Sequence, residues 1–340
     1  MELNIVVSGM PNGYQGESED GLWLTEIQRE RLEAAAPGLH LEHLPVSALH
    51  AGIAPERAPH AILVESSGTN LGWEREPGIL KMPGLETLIT PALRLMQSAS
   101  AGVEHLVDVI PDGVVLSNAS GVHSKAIAET VIASILSDAK MLPQRRIDQS
   151  ERVWRQLPAR ELEGSIMVVV GTGNIGSAVA HLAQAFGMRT IGVNSSGRPG
   201  AHFDEVSTDL IAAAGDADFL VIAAPLTPET RQMVDEAVFA ALPMNAYLAN
   251  VSRGGLIDDA ALIAALENGR LRRALLDTHT IEPLPEDSVL WSHPRVEISP
   301  HDSHASQLLG DRHLDLFIDN IQRLIDGREL RNVVDLGRGY

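Results

Sequence analysis

The sequence predicts an α/β protein whose parallel sheets carry helices on both faces. Short apolar runs alternate with helical stretches along most of the 340 residues, and continuous apolar runs are typical of strands buried on both faces. The alternation occurs in two blocks, and the length agrees with about two domains. We therefore expect two successive doubly wound units.

Apolar runs mark the expected strands. In the first block they are Leu3–Val7, Ala61–Val64, Leu93–Met96 and Val114–Leu116, with a loop expected at residues 10–20. In the second block they are Ser165–Val170, Thr190–Val193, Phe219–Ala223, Tyr247–Val251, Ala274–Leu276 and Val296–Ile298. Helices are expected at Asn174–Phe186, at Gln307–Ile325 and at Ser124–Met141, which we interpret as a connector between the blocks. The basic cluster after the connector predicts a solvated face formed by Arg145, Arg146, Arg152 and Arg155.

Composition excludes several classes of function. The chain holds 26 Lys and Arg against 45 Asp and Glu, a formal net charge of −19, which argues against nucleic acid bound through net charge. A hydrophobic content of 44% argues against a disordered chain. Because there is no cysteine, disulfides, thiol nucleophiles and thiolate metal ligands are excluded, and no histidine spacing predicts a metal site. Neither a signal peptide nor an apolar run of about 18 residues is present, so we expect a cytoplasmic protein without membrane contact.

A glycine-rich loop follows the strand expected at Ser165–Val170. The residues Gly171, Thr172, Gly173, Asn174, Ile175 and Gly176 form a G-x-G-x-x-G pattern that opens a helix. The first glycine permits the tight turn, the second lets backbone approach a pyrophosphate, and the third permits close packing of helix and strand. The helix N-terminus offers N–H groups to phosphates. This context indicates a dinucleotide site, with a plain tight turn as the alternative.

The end of the next strand bears on the choice of cofactor. An acidic residue is expected there for NAD, because a carboxylate binds the ribose hydroxyls. This chain has the neutral Asn194, followed by Ser195, Ser196 and Arg198. Hydroxyl groups and a guanidinium are donors for a 2′-phosphate, so the sequence favours NADP(H), with NAD(H) as the alternative.

Five further segments occur in a recognisable order: Glu161-Leu162-Glu163-Gly164, Pro225-Leu226-Thr227-Pro228-Glu229-Thr230, Asn250-Val251-Ser252-Arg253-Gly254-Gly255, Leu276-Asp277 through Glu282-Pro283-Leu284-Pro285 to Leu290-Trp291, and Ser299-Pro300-His301. In this order and spacing they resemble the D-isomer-specific 2-hydroxyacid dehydrogenase family over nearly the whole chain. Together with the preference for NADP(H) drawn from residues 194–198, the resemblance implies an NADPH-preferring reductase of small 2-oxoacids, similar to glyoxylate and hydroxypyruvate reductases.

The resemblance also implies an architecture. A flavodoxin-like substrate domain would contain residues 1–118 and 306–340, and a Rossmann domain that binds NAD(P) would contain residues 119–305. The active-site cleft would lie between these domains, with hinges near Asn118–Gly121 and Ser303–Leu308. A homodimer formed through the connector helix is implied as well.

Three residues receive catalytic roles through the resemblance. Arg253 would clamp the substrate carboxylate with its planar guanidinium. His301 would be the general acid, because imidazole titrates near neutral pH. Glu282 would orient His301 through the other ring nitrogen.

The remaining site residues are also implied by the resemblance. Ser100, Ala101 and Gly102 would present backbone N–H groups to the substrate carboxylate, beside Ser66, Ser67 and Gly68. The cofactor would contact the glycine loop, Asn194 to Arg198, and the residues Ala224, Pro225, Thr230, Val251, Ser252, Asp277 and His301.

The chain departs from the family pattern at several positions. His279 stands where an aromatic residue is common, and Asp302-Ser303-His304 stands where small and apolar residues usually follow the histidine. His123, in the segment Gly121-Val122-His123, also differs from the family pattern, and Thr130 stands at a position where the family frequently has histidine. These departures leave the expected reaction class unchanged and bear on which substrate the protein binds.

Two other readings stay open at this point. One is another dehydrogenase of the superfamily, acting on phosphite or formate, although formate dehydrogenases have glutamine where this chain has Glu282. The other is a binding protein without catalysis, similar to the dinucleotide-sensing corepressors. The absence of basic appendages weighs against that second reading.

Overall fold

The computed structural model describes residues 3–8, 24–44, 48, 51–64, 74–76, 79–81, 84–103 and 106–337. The chain divides into two compact units. The first unit comprises Met1–His123 and Ala305–Tyr340, and the second comprises Ser124–His304. The chain therefore begins and ends in the same unit. The loop expected at residues 10–20 lies outside the described residues.

The first unit contains a parallel sheet. Its strands are β1 (Asn4–Ser8), β2 (His40–His43), β3 (Ala61–Val64), β6 (Leu95–Ser98) and β7 (Val115–Ser117), in the spatial order β2-β1-β3-β6-β7. Two further strands, β4 (Glu74–Glu76) and β5 (Ile79–Lys81), form an antiparallel pair. Helix α1 (Glu26–Ala35) begins with a capping box formed by Thr25 and Gln28.

Side chains of successive strand residues in the first unit enter opposite halves of its core. Ile5 and Val7 join one cluster, whereas Val6 joins the other. The first cluster includes Leu314, Phe317 and Ile321 of the terminal helix, Leu309–Ile325. The C-terminal helix therefore completes the core of the unit in which the chain begins.

The second unit contains a sheet of seven parallel strands. They are β8 (Ile166–Val170), β9 (Arg189–Val193), β10 (Glu205–Ser207), β11 (Phe219–Ile222), β12 (Ala246–Asn250), β13 (Leu271–Leu276) and β14 (Val296–Ile298). Their spatial order is β10-β9-β8-β11-β12-β13-β14. The order reverses at β8, so the chain has a topological switch point where β8 ends.

Helices cover both faces of this sheet. They are α2 (Ser124–Ala139), α3 (Leu142–Glu151), α4 (Asn174–Ala185), α5 (Leu210–Ala214), α6 (Glu236–Ala241) and α7 (Asp259–Glu267), and the C-terminal helix is α8. Residues Met167 and Val169 of β8 pack with α2 and α4, whereas Val168 and Val170 pack with α5 to α7. The apolar face of the expected connector, α2, therefore belongs to the core of the second unit.

The structure confirms the α/β class with parallel sheets and corrects several boundaries. The strand expected from Leu93 begins at Leu95, because the N–H of Leu93 donates to the carbonyl of Thr90 in a turn. Helix α2 ends at Ala139, before Met141 adopts a φ of 54°. Strands β2 and β10 were not predicted. Both are polar edge strands, so neither carries an apolar run.

The basic cluster of Arg145, Arg146, Arg152 and Arg155 is only partly a solvated face, because one of its arginines forms an ion pair with a buried aspartate. Residues Arg145 and Arg146 lie on α3, where a solvated face was expected. The guanidinium of Arg155, however, donates to both carboxylate oxygens of Asp148, at 2.6 and 2.8 Å. Asp148 is buried at the side of α3, so this pair ties the following segment to the helix.

The turn between β8 and α4 yields a prediction for stability. A Cβ at Gly176 would lie 1.9 Å from the carbonyl oxygen of Gly171, whereas a Cβ at Gly173 would meet nothing within 4 Å. We expect Gly176→Ala to lower the free energy of unfolding by about 2 kcal/mol or more, because backbone must move. Gly173→Ala is the matched control, and urea denaturation should show a loss of about 1 kcal/mol at most, because alanine is a poorer N-cap residue than glycine. Equal losses in the two variants would contradict this account of the turn.

Candidate active site

The predicted cofactor and catalytic residues of the second unit follow the carboxyl ends of its strands. The glycine loop follows β8, Asn194 follows β9, Arg253 lies just after β12, Asp277 follows β13 and His301 lies just after β14. Because all seven strands are parallel, these ends share one edge of the sheet. Ligands of open α/β sheets bind at this edge.

The glycine loop has the geometry that its pattern predicts. Gly171 has a φ of +101°, and a Cβ there would lie 2.4 Å from the carbonyl oxygen of Ala223. Gly176 is packed against Gly171, whereas the space beside Gly173 is open. Gly173 caps α4 without a side chain. An open cradle at a helix N-terminus is the feature that a dinucleotide pyrophosphate requires, so the residues present fit that cofactor.

Asn194 connects the glycine loop to the turn that follows β9. Its side-chain amide donates to Thr172 Oγ1 at 2.8 Å and to the carbonyl of Arg198 at 3.0 Å. Its Oδ1 accepts from the N–H of Ser196 at 3.0 Å. Ser195, Ser196 and Arg198 are exposed. The hydroxyl of Ser196 also donates to Asn194 Oδ1, at 3.2 Å. Asn194 therefore shapes an exposed turn that carries Arg198.

Two further loops lie at the same edge. Thr230 Oγ1 donates to the carbonyl of Pro225 at 2.7 Å and accepts from the N–H of Thr227 at 2.7 Å, which closes the loop after β11. Ser252 Oγ donates to the carbonyl of Ala224. The N–H of Val251 donates to the carbonyl of Ile222 at 3.3 Å. The loops after β11 and β12 are therefore held to each other.

The structure brings Glu282 and His301 together. Glu282 Oε2 lies 3.0 Å from His301 Nδ1, and Glu282 Oε1 accepts from the backbone N–H of His279 at 2.9 Å. Burial raises the pKa of Glu282, but the hydrogen bond and charge of His301 and the amide of His279 outweigh it. The pKa of this carboxyl therefore lies below its ordinary value. Among the described residues, His301 Nε2 has no hydrogen-bond partner.

The last residue of β12, the buried Asn250, fixes the backbone of Arg253. The side chain of Asn250 donates to the carbonyl of Arg253 at 3.0 Å and accepts from the N–H of Ser252 at 3.2 Å. The next residue, Gly254, packs so closely that a Cβ would lie 2.0 Å from the carbonyl carbon of His279. The Arg253 segment thus contacts the segment that holds Glu282. Sequence reasoning missed Asn250, although a buried asparagine that ends an apolar strand is a recognisable signal.

The residues expected to bind the substrate carboxylate lie in the first unit, after β6. The N–H of Ser100 donates to Ser98 Oγ at 2.9 Å, and the side chain of Asn118 donates to the carbonyl of Ala101 at 3.0 Å. The N–H groups of Ala101 and Gly102 donate to none of the described residues. Ser66, Ser67 and Gly68 lie outside the described residues.

The described part of the chain offers neither a metal-binding cluster nor a helix able to span a membrane. It has no group of three or more His, Asp or Glu side chains arranged to hold a metal ion. None of its helices combines the length and the apolar character needed to cross a membrane.

The lowered pKa of Glu282 predicts a pH-dependent contribution to stability. A carboxyl whose pKa falls on folding stabilises the protein above its unfolded pKa, and this contribution is lost as pH falls through the folded value. We expect Glu282→Gln to lower the free energy of unfolding by about 1 kcal/mol near pH 6, with the deficit vanishing in acid. Urea denaturation at several pH values measures this deficit. Glu286→Gln, at an exposed position of the same segment, should show no deficit, and a pH-independent deficit at Glu282 would contradict the prediction.

Comparison with known proteins agrees with this geometry. The family described as "D-isomer specific 2-hydroxyacid dehydrogenase, NAD binding domain" matches residues 132–303. A glyoxylate/hydroxypyruvate reductase A of Yersinia enterocolitica is 30% identical over 253 residues, which are 71% of this chain and 79% of that protein.

Two solved structures resemble the whole chain. A D-isomer specific 2-hydroxyacid dehydrogenase family protein from Aeromonas salmonicida is 30% identical with a TM-score of 0.81, covering 99% of this chain and 100% of that one. An NADPH-dependent glyoxylate/hydroxypyruvate reductase from Sinorhizobium meliloti, solved with NADP and sulfate, is 26% identical with a TM-score of 0.75, covering 100% of both chains. The chain therefore belongs to the D-isomer specific 2-hydroxyacid dehydrogenase family and is an oxidoreductase that uses a nicotinamide dinucleotide.

Proposed function

We propose that the protein is an NADPH-preferring reductase that converts small 2-oxoacids, of the size of glyoxylate or hydroxypyruvate, to D-2-hydroxyacids. The observation that carries the proposal is the His301 ring. Its Nδ1 is held by Glu282 at 3.0 Å, and its Nε2 has no partner among the described residues. An imidazole oriented by a carboxylate, with its second nitrogen available, is suited to giving a proton to a carbonyl oxygen.

The roles of the side chains follow from their chemistry. Glu282 bonds to Nδ1 of His301 and so fixes the orientation of the ring, which leaves Nε2 for the substrate. His301 delivers the proton from Nε2 to the ketone oxygen, and in the reverse direction it accepts that proton from the hydroxyl group. Arg253 binds the substrate carboxylate through its planar pair of N–H donors. The dinucleotide, when bound, supplies or accepts the hydride.

The preference for NADPH is supported by the turn after β9. Asn194 is uncharged and is engaged with Thr172, Arg198 and Ser196, so no carboxylate at this position repels a 2′-phosphate. The exposed Ser195 and Arg198 offer a hydroxyl and a guanidinium. The Sinorhizobium meliloti reductase, whose structure contains NADP, agrees with this choice.

The substrate class is supported by the two relatives named as glyoxylate/hydroxypyruvate reductases. The pairing of Glu282 with His301 weighs against a formate dehydrogenase, in which the resemblance would require glutamine. The contacts of Ser100, Ala101 and Gly102 with the substrate, the homodimer and the cytoplasmic location stay predictions.

The proposed reaction is tested by the oxidation of NADPH with a panel of 2-oxoacids. The wild-type protein should turn over glyoxylate, hydroxypyruvate or both. Arg253→Ala should lower kcat/KM roughly a hundredfold or more, because a bound carboxylate loses its charged partner. Arg146→Ala removes an exposed arginine of α3 and serves as the control. A wild-type protein that is inactive with every oxoacid and both cofactors would sink the proposal.

The cofactor preference is tested at Arg198. We expect Arg198→Ala to raise the KM for NADPH roughly tenfold to a hundredfold, because hydrogen bonds to a charged phosphate are lost. The KM for NADH should change less than about twofold, because NADH has no 2′-phosphate. Arg189→Ala removes an arginine from the opposite end of β9 and should change neither constant. Equal effects on the two cofactors would contradict the role given to Arg198.

A further inference from the structure

The segment that carries His301 is organised by one buried carboxylate. Three successive backbone N–H groups donate to Asp277: that of His301 to its carbonyl oxygen at 2.9 Å, and those of Asp302 and Ser303 to Oδ1 at 3.1 and 3.0 Å. The hydroxyl of Ser299 also donates to Oδ1, at 2.7 Å. The Asp277 residue is 1% exposed. A buried charge needs such hydrogen bonds, and bonds to a charged acceptor are stronger than neutral ones.

The backbone of His301 needs this restraint. Its φ is +58°, in the left-handed region that residues with a Cβ disfavour. Such conformations persist where surrounding contacts determine them. The N–H bond of His301 to Asp277 and the bonds of the next two residues supply these contacts.

Ser303 is a second residue that holds the segment in place through hydrogen bonds. It is 4% exposed, and its N–H and hydroxyl both donate to the Asp277 carboxylate. Its carbonyl accepts from Thr130 Oγ1 at 3.1 Å, which connects the segment to α2. All polar groups of Ser303 are therefore paired.

Two departures from the family pattern thus meet in space. Thr130 stands where histidine is frequent, and Ser303 follows the catalytic histidine where small apolar residues are usual. The hydroxyl of Thr130 contacts the carbonyl of Ser303 across 173 positions of sequence. Each unusual residue supplies a polar group for the same structural purpose.

We propose that Asp277, Thr130 and Ser303 form a clamp, the three side chains that hold residues 299–303, and that the clamp positions His301 Nδ1 against Glu282. The inference rests on the proposed function. It assigns the Asp277 carboxylate to the segment of His301, in place of the cofactor contact that the resemblance implies. The three are positioning residues, because they act through His301.

Several charged or titratable groups surround His301. Glu282 faces its ring, Asp277 lies beneath its backbone, and Asp302 and His304 are on its own segment. His279 belongs to the segment that holds Glu282. Burial, and secondarily the charge of His301, lowers the pKa of His304, so this neighbour favours its neutral form. Glu282 is the group that bonds to the ring, through Nδ1. The contact between Glu282 and this nitrogen is therefore the one that the clamp would align.

The first test uses steady-state kinetics. Thr130→Val keeps the shape of the side chain but removes its hydroxyl, and we expect kcat to fall roughly three- to tenfold. Ser303→Ala should lower kcat roughly tenfold to a hundredfold, because misplacing a reacting group is costly. The KM for NADPH should stay within about twofold of the wild-type value in both variants.

The pH profile separates positioning from mere loss of folded protein. Proton transfer from His301 depends on its contact with Glu282, so we expect the pH dependence of kcat for reduction to change in both variants. A smaller folded fraction would lower kcat without changing its dependence on pH. Thr130→Ser restores the hydroxyl and should restore the profile. Ser134→Ala, which removes a hydroxyl of α2 bonded to Tyr247 and Glu297, should leave the profile unchanged.

Amide hydrogen exchange provides a readout that does not depend on turnover. The amides of Asp302 and Ser303 should exchange roughly tenfold faster in Thr130→Val and Ser303→Ala, because their opening costs less free energy. Unchanged exchange together with an unchanged pH profile would overturn the clamp while leaving the proposed function standing. If the wild-type protein turns over no oxoacid, the proposed function fails, and exchange alone then decides whether the clamp exists.

Discussion

The candidate site of the second unit depends on one constraint, the common direction of the seven strands. The inner strands β8, β9, β11, β12 and β13 are mostly buried, and their apolar side chains pack into two core clusters. The loops beyond their carboxyl ends carry the polar groups of the site, because backbone groups there lack partners in the ladder. Because the strands are parallel, the loops from Gly171 to His301 meet at one edge.

Two carboxylates divide the work of placing His301. Glu282 binds the ring at Nδ1. The Asp277 carboxylate binds the backbone N–H groups of Asp302 and Ser303, and the main-chain carbonyl of Asp277 accepts from the N–H of His301. Each carboxylate is itself held by N–H or hydroxyl donors, because a buried carboxylate without them would be too costly. Orientation of the ring and restraint of its backbone are thus separate contributions, made by residues on different segments.

The net charge of −19 bears on how the protein can bind its ligands. A nicotinamide dinucleotide is an anion, as a 2-oxoacid is, so the overall field does not attract either one. In the proposed function, binding depends on local donors, which are the N-terminus of α4, the exposed Arg198 and the guanidinium of Arg253. The excess of acidic side chains favours the solubility of the protein and does not help it to bind its anionic ligands.

The sequence by itself determined the α/β class, the buried strands, the glycine loop and the order of Arg253, Glu282 and His301, because apolar runs and short motifs are local signals. It did not show β2 and β10, since polar edge strands carry no such run. The resemblance implied that Glu282 would contact His301. Only the tertiary structure decided that Asn250 supports Arg253 and that Asp277, Ser303 and Thr130 share one network. These contacts depend on which strands and helices become neighbours, and no spacing along the chain encodes a hydrogen bond between residues 173 positions apart.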